Sequence, residues 1–251
     1  MPTKGTYLCS ACGQPPARTG PSAGPSGGPP AGLPSGVAAA GASRPEWRCR
    51  NLWCAAADRS LEAVFAVGNY EGALRKAIVA YKYRWDLRWA RPFGALLYAF
   101  LTRHATWFEE YAVICPVPQF MGPGARRPWG HVGLVCAEVS RLAGGGWPVE
   151  DLVAKVFETD VMSTKPGSGR RELARKCLRR AFIVSDARAV VGRRILLVDD
   201  VCASGYTLLT VARALRRAGA DEVTALVLAR ARWRDGRHAG RPAPSLSRPA
   251  R

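Results

Sequence analysis

Two acids stand side by side at the end of an apolar run: Ile195-Leu196-Leu197-Val198 is followed at once by Asp199-Asp200. An unbroken run of this length fits a parallel strand buried on both faces, which puts both carboxylates at the strand's C-terminal end. After Val201-Cys202 comes the loop Ala203-Ser204-Gly205-Tyr206-Thr207, and from Thr207 to Ala218 the residues Leu208, Val211, Ala212 and Leu215 share one helical face while Arg213, Arg216 and Arg217 take the other. A helix start offers amide N–H groups and a partial positive charge. Small residues before it let those amides close around a phosphate, and Ser204 and Thr207 add hydroxyls. Adjacent carboxylates cannot bind phosphate, but they accept hydrogen bonds from the two hydroxyls of a ribose or hold a metal-bound water. The chemistry is that of a phosphorylated sugar. A plain strand–turn–helix with an acidic loop is the competing reading, and the combination of buried strand, acid pair and S-G-x-T is the more specific pattern.

The elements that must position these residues follow from the flanking sequence. Val223 to Ala229 is the next apolar strand, and Gly219 stands where a helix-ending glycine belongs. Strand, helix and strand make a right-handed βαβ unit, whose ligands bind at the C-terminal strand ends. Upstream, Tyr111 to Cys115 is a short strand stopped by Pro116-Val117-Pro118, and Val132 to Leu142 is a helix ended by Gly144-Gly145-Gly146. Leu74, Ala77, Ile78 and Tyr81 share a face of an earlier helix, and Phe93 to His104 forms another. The expected fold class is α/β: a Rossmann-like, mainly parallel sheet with flanking helices. Its expected organisation is a cysteine-bearing module over 1–58, interrupted by a disordered insert at about 15–45; a helical linker or hood over 60–110; the α/β domain over 111–232; and a disordered basic tail over 233–251.

The charge balance sets the class of partner. The chain of 251 residues carries a net charge of +18, and 31 of its 37 basic residues are arginine. Arginine suits bidentate phosphate contacts, and a chain this basic attracts polyanions, nucleotides and nucleic acid included. A composition bias toward arginine would give the same numbers without function. The run from Lys165 to Arg180 divides in the same way among a loop closing over a ligand, a nucleic-acid patch and a solvated basic face, the last being the plainest. His131 lies at a loop-to-helix boundary, where a lone histidine is more often an incidental surface or capping residue than an anion contact. The longest apolar stretch, Phe93 to Leu101, is too short to span a bilayer. With no apolar run behind Met1-Pro2-Thr3-Lys4-Gly5, a cytoplasmic protein is expected.

Eight cysteines in a reducing compartment point to metal ligands or buried thiols rather than disulfides. Cys9 and Cys12 form a C-x2-C knuckle, and Cys49 and Cys54 a looser C-x4-C pair. Four thiolates make a closed structural Zn2+ site with no open position for substrate; four unpaired thiols are the alternative. The long insert between the pairs is tolerable, because closure entropy costs only about 0.6 kcal/mol per doubling of loop length. Cys115, Cys136, Cys177 and Cys202 lie in apolar surroundings and are expected in the core.

The strand, acid pair and small-Ser-Gly-x-Thr loop resemble the fingerprint of the type I phosphoribosyltransferases. The order of features along the chain is similar to one branch, the ComF-like proteins: the Cys9/Cys12 and Cys49/Cys54 pairs, the segment Tyr70-Glu71-Gly72-Ala73-Leu74-Arg75-Lys76-Ala77-Ile78 followed by Lys82-Tyr83, the Pro116-Val117-Pro118 turn, and Ala181-Phe182 before the acid pair. The resemblance implies binding of phosphoribosyl diphosphate (PRPP) with Mg2+. Asp199 and Asp200 would meet the ribose 2′- and 3′-hydroxyls, Ala203 to Thr207 would cradle the 5′-phosphate, and Pro116, Val117, Arg126 and Arg127 would lie toward the pyrophosphate. It also implies Zn2+ in the N-terminal module and a link to natural competence, with single-stranded DNA or the competence machinery as partners. Departures fall at Cys202, where a branched aliphatic is usual, and at Ala203, where several members carry an Asp base. They also fall at Arg127-Pro128-Trp129-Gly130-His131, Cys177 and Arg180. The expected activities are phosphoribosyl transfer to a nitrogen acceptor with release of pyrophosphate or, in another class, a non-enzymatic accessory role in DNA uptake through a degenerate pocket and a basic surface.

Overall fold

The computed structural model describes residues 60–125, 129–159 and 176–231, with the backbone of 233–234 and 237–238. The four clustered cysteines, the insert, Arg126 and Arg127 lie outside the described residues.

A four-stranded parallel sheet forms the centre. Its strands are β1 (Val64–Asn69), β2 (Val113–Pro116), β5 (Arg194–Cys202) and β6 (Glu222–Arg230), in the spatial order β1-β6-β5-β2. The inner strands are β5 and β6, and their side chains alternate between two cores. Ile195 and Leu197 face one, Leu196 and Val198 the other. All four are at most 1% exposed, the pattern of a strand covered on both sides.

One core is closed by α5 (Tyr206–Arg217), whose Leu208, Val211, Ala212 and Leu215 are buried as the periodicity requires. Burying each of the two leucines and the valine is worth about 1.5–3 kcal/mol. An antiparallel pair of three-residue strands, β3 (Val153–Lys155) and β4 (Phe182–Val184), packs against α5 on the same side. The other core is closed by α1 (Gly72–Tyr83), α2 (Ala90–Arg103), the short α3 (Ala105–Phe108) and α4 (His131–Leu142). Helices α2 and α4 cross closely at Gly94: a Cβ there would lie 2.5 Å from Glu138 Cβ. This contact seats the middle of α4 against α2.

Three expectations need correction. The 60–110 stretch is not purely helical, because Val64–Asn69 pairs in parallel with β6 and completes the sheet; six residues ending Gly68-Asn69 carry too little periodicity to separate strand from helix. The tail beyond 232 begins with a two-residue antiparallel ladder, Trp233–Arg234 against Arg237–His238, with Asp-Gly, a strong turn pair, between them in the sequence. Finally, Cys177 is exposed, while Cys115, Cys136 and Cys202 are buried as expected; Cys177 falls on the outward side of the helical stretch at 176–180, next to the buried Leu178.

Candidate functional site

The site lies at the C-terminal end of β5, where the chain leaves the sheet. A cleft of about 300 Å3 opens there, lined by Asp199, Asp200, the whole 203–207 loop, Val117 to Phe120, His131, Lys82 and, from the β3–β4 side, Lys155, Glu158 and Phe182. The acids and the loop predicted from sequence are thus brought together. Val117 reaches the cleft; Pro116 does not line it, being the last residue of β2, buried opposite Val198. Placing a residue without an N–H here is cheap, because β2 is an edge strand.

The loop has the geometry of an anion cradle. Gly205 is the N-cap of α5 at φ 74°, in the left-handed region where a Cβ is penalised. Leu209 N–H donates to Gly205 O at 2.9 Å, so the amides upstream of it in the first turn have no intrahelical acceptor. Ser204 Oγ accepts a long 3.4 Å bond from Tyr206 N–H. Tyr206 points its ring into the core and is 3% exposed; its contribution to the cleft is backbone. Ala203 is exposed and Thr207 half-buried at the helix start.

The two acids have different surroundings. Asp200, 3% exposed, is held from the helical side of the sheet. Lys82 Nζ, from the last turn of α1, lies 2.7 Å from Oδ1 and 2.6 Å from Oδ2. His131 Nε2, from the first residue of α4, lies 2.7 Å from Oδ2. The other imidazole nitrogen, Nδ1, lies 2.5 Å from Gln119 Oε1, and Tyr81 O–H donates to the His131 carbonyl at 2.5 Å. Burial by itself would raise the Asp200 carboxyl, but the Lys82 ammonium and the His131 ring hold it well below the usual carboxylate range. Asp199 lines the cleft, and its Oδ1 accepts the Asp200 N–H at 2.8 Å. Burial, and then the charge of Asp200, push its carboxyl up to about 7.

Lys82 and His131 were not recognised as site residues from sequence, and the surface reading of His131 is overturned: it is 7% exposed. Their contacts with Asp200 span 118 and 69 residues, so no local pattern holds them. The available signal was the position of Lys82 one turn beyond Ile78, at the end of the buried face of α1. Two more aromatic residues flank these groups. Trp85 follows Lys82 at φ 57°, the one non-glycine residue with positive φ among the described residues, and its ring meets that of Trp129 edge-on at 5.7 Å.

Comparisons with known proteins agree with this geometry. Residues 137–243 match the family described as phosphoribosyl transferase domain. A stretch of the chain is 44% identical to an adenine phosphoribosyltransferase of Mycobacteroides abscessus, covering 25% of this chain and 35% of that protein. Competence protein F of Haemophilus influenzae is 26% identical over 71% of this chain and 77% of its own length. A phosphoribosylpyrophosphate synthetase structure from Mycobacterium smegmatis aligns at 17% identity with a TM-score of 0.31, over 53% of this chain and 33% of that one. The chain therefore spans only about a third of the adenine enzyme and of that solved structure, but most of the competence protein. The match along that length, the phosphoribosyl transferase domain match and the parallel sheet carrying the acid pair are consistent with a ComF-family protein.

Proposed function

We propose that the cleft binds PRPP together with Mg2+, and that it transfers the phosphoribosyl group to a nitrogen acceptor with release of pyrophosphate. The observation that carries this reading is the convergence, in one cleft at the end of the central strand, of the Asp199 carboxylate with the Gly205-capped loop. The loop amides, Ser204 and Thr207 suit a 5′-phosphate. Asp199 suits a ribose hydroxyl, and Asp200, already engaged by Lys82 and His131, keeps at most one acceptor position for another. Among the described residues no three His, Cys, Asp or Glu side chains gather to hold a metal, so Mg2+ would be carried largely by the ligand's phosphates, as is common for this ion. Bound there, it would offset charge on the departing pyrophosphate. The chain's own part in the reaction is to hold the ribose and phosphate in line and to exclude water. Ala203 supplies no base, so the acceptor would enter with its nitrogen lone pair free or lose its proton to another group.

The direct test is isothermal titration of Mg2+·PRPP into the native chain and Asp199→Asn. Native binding near 1 μM, about −8 kcal/mol, weakened at least about 100-fold in the variant, is the expected result. Absence of native binding would refute the pocket. A second reading has its own support in the net charge of +18 and in the name of the competence relative: a non-enzymatic, cytoplasmic accessory of DNA uptake. It requires single-stranded DNA affinity that falls steeply with salt. Structural zinc on Cys9, Cys12, Cys49 and Cys54 belongs to either reading, and metal analysis of the purified chain decides it.

A further inference from the structure

Under the 203–207 loop sits a buried positive charge that makes no ion pair among the described residues. Arg230 ends β6, in register with Cys202 of β5, and is 6% exposed. Its Nη1 donates to Cys202 Sγ at 2.9 Å, while Nε and Nη2 are buried with no hydrogen-bond partner among the described residues. A thiol is a weak acceptor and gives no formal charge in return. Burial pushes the Cys202 thiol up to about 11, with Arg230 pulling it down and the Asp199 carboxyl pushing it up, so near neutral pH the sulfur stays protonated and adds no negative charge of its own beside the guanidinium. The same sulfur lies 3.7 Å from where a Cβ on Gly205 would stand. The guanidinium therefore comes within about 7 Å of the glycine that shapes the loop.

A buried cation without an ion-pair partner is costly to the folded state, and an anion seated in the adjacent loop lowers that cost. We propose that Arg230 is the buried counter-charge for the phosphate held by residues 203–207, acting across Cys202 on ligand binding without touching the ligand. This rests on the reading that the cleft takes a phosphorylated ribose. It differs from the contacts that reading already uses, because Arg230 does not line the cleft. The arrangement also gives a reason for Cys202, which stands where the resembled fingerprint carries a branched aliphatic: its polarizable sulfur accepts the guanidinium N–H, which a methyl group cannot do. At this separation, in a partly buried setting, a unit charge acting on a phosphate changes affinity by about ten-fold or more.

The test uses the full chain and three probes, ribose 5-phosphate, inorganic phosphate and uncharged ribose, measured by titration and thermal unfolding. Arg230→Gln should weaken ribose 5-phosphate about ten-fold and Arg230→Lys, which keeps the charge, less than about three-fold, with ribose equal in all three proteins. Without ligand, Arg230→Gln should melt at or above the native temperature, because it removes the unpaired charge. Equal ribose 5-phosphate affinity in native and Gln forms would overturn the proposal, as would a Lys variant as weak as the Gln variant. If the Gln variant does not fold, the native chain decides: phosphate should raise its Tm more than chloride at matched ionic strength, and equal stabilisation overturns the proposal. Loss of binding in Asp199→Asn but not in Arg230→Gln would sink only this inference. A native chain that binds neither phosphate ligand would sink it together with the PRPP reading.

Discussion

The two carboxylates differ by one position in the chain and by much more in circumstance. Asp200 projects toward the helical core, where α1 and α4 meet it with Lys82 and His131 at 2.6–2.7 Å. Asp199 lines the open cleft and takes one backbone N–H. The half of the site around Asp200 is finished before any ligand arrives. The half around Asp199 and the loop is held by local bonds, Asp200 N–H to Asp199 Oδ1 and Tyr206 N–H to Ser204 Oγ, and faces the cleft. A side-by-side acid pair thus divides its labour: one member binds the sheet to its helices, and the other, in the reading proposed above, is the one offered to a ligand. The alternation of a strand makes this possible, because neighbouring side chains face opposite sides of the sheet.

The largest effect should come from breaking the finished half. Asp200→Ala leaves the Lys82 ammonium, with 18% side-chain exposure, and His131, with 8%, buried without their anion. The folded state should lose about 3–5 kcal/mol, measured by urea denaturation, whereas Asp199→Asn should leave stability at neutral pH unchanged or raised. Equal losses in the two variants would erase the distinction.

Titration sharpens the same contrast at lower cost. The folded carboxyl of Asp199 is raised to about 7 from an ordinary value of 3.8. Its contribution to stability is therefore full below about pH 4, falls as pH rises toward 7, and is gone above that. For Asp200 the sign is opposite: its ion pairs stabilise at all pH values above the ordinary carboxylate range and weaken only in acid. The native chain should lose about 2 kcal/mol between pH 5 and pH 7.5, less than the full shift implies because Asp199 is partly open to solvent. The loss should vanish in Asp199→Asn, read as Tm against pH.

The smallest change probes how the finished half is held. Tyr81→Phe removes the O–H that meets the His131 carbonyl and leaves that oxygen buried. A loss of about 1–2 kcal/mol is expected, with PRPP affinity altered less than two-fold. A large loss of affinity would mean that the placing of His131 matters to the ligand as well as to the fold.

How much of this was legible in the sequence depends on range. β5, the loop, α5 and β6 are contiguous, each with a clear period, and the structure follows them within one to four residues at each end. β1 was absorbed into a helical region, and the three-residue strands β3 and β4 went unseen, because strands this short carry almost no pattern. Lys82, His131 and Arg230 were missed for a different reason. What ties Lys82 and His131 to the site, and Arg230 to Cys202 beneath the loop, is a neighbour 28 to 118 residues away, and a single sequence has no term for that. Cys177 misled because its apolar neighbours belong to the other side of its own turn.

The placing of β5 between β6 and β2 has a consequence for motion. Amides of an inner strand exchange with solvent only when the sheet itself opens, whereas those of a surface loop exchange through small local openings. The amides of Leu196 to Asp199 should therefore be among the slowest to take up deuterium, and those of Ala203 to Gly205 among the fastest, within a span of ten residues. A ligand seated in the cleft would slow the second group and leave the first untouched, so its footprint in a deuterium-uptake map would end abruptly at the acid pair.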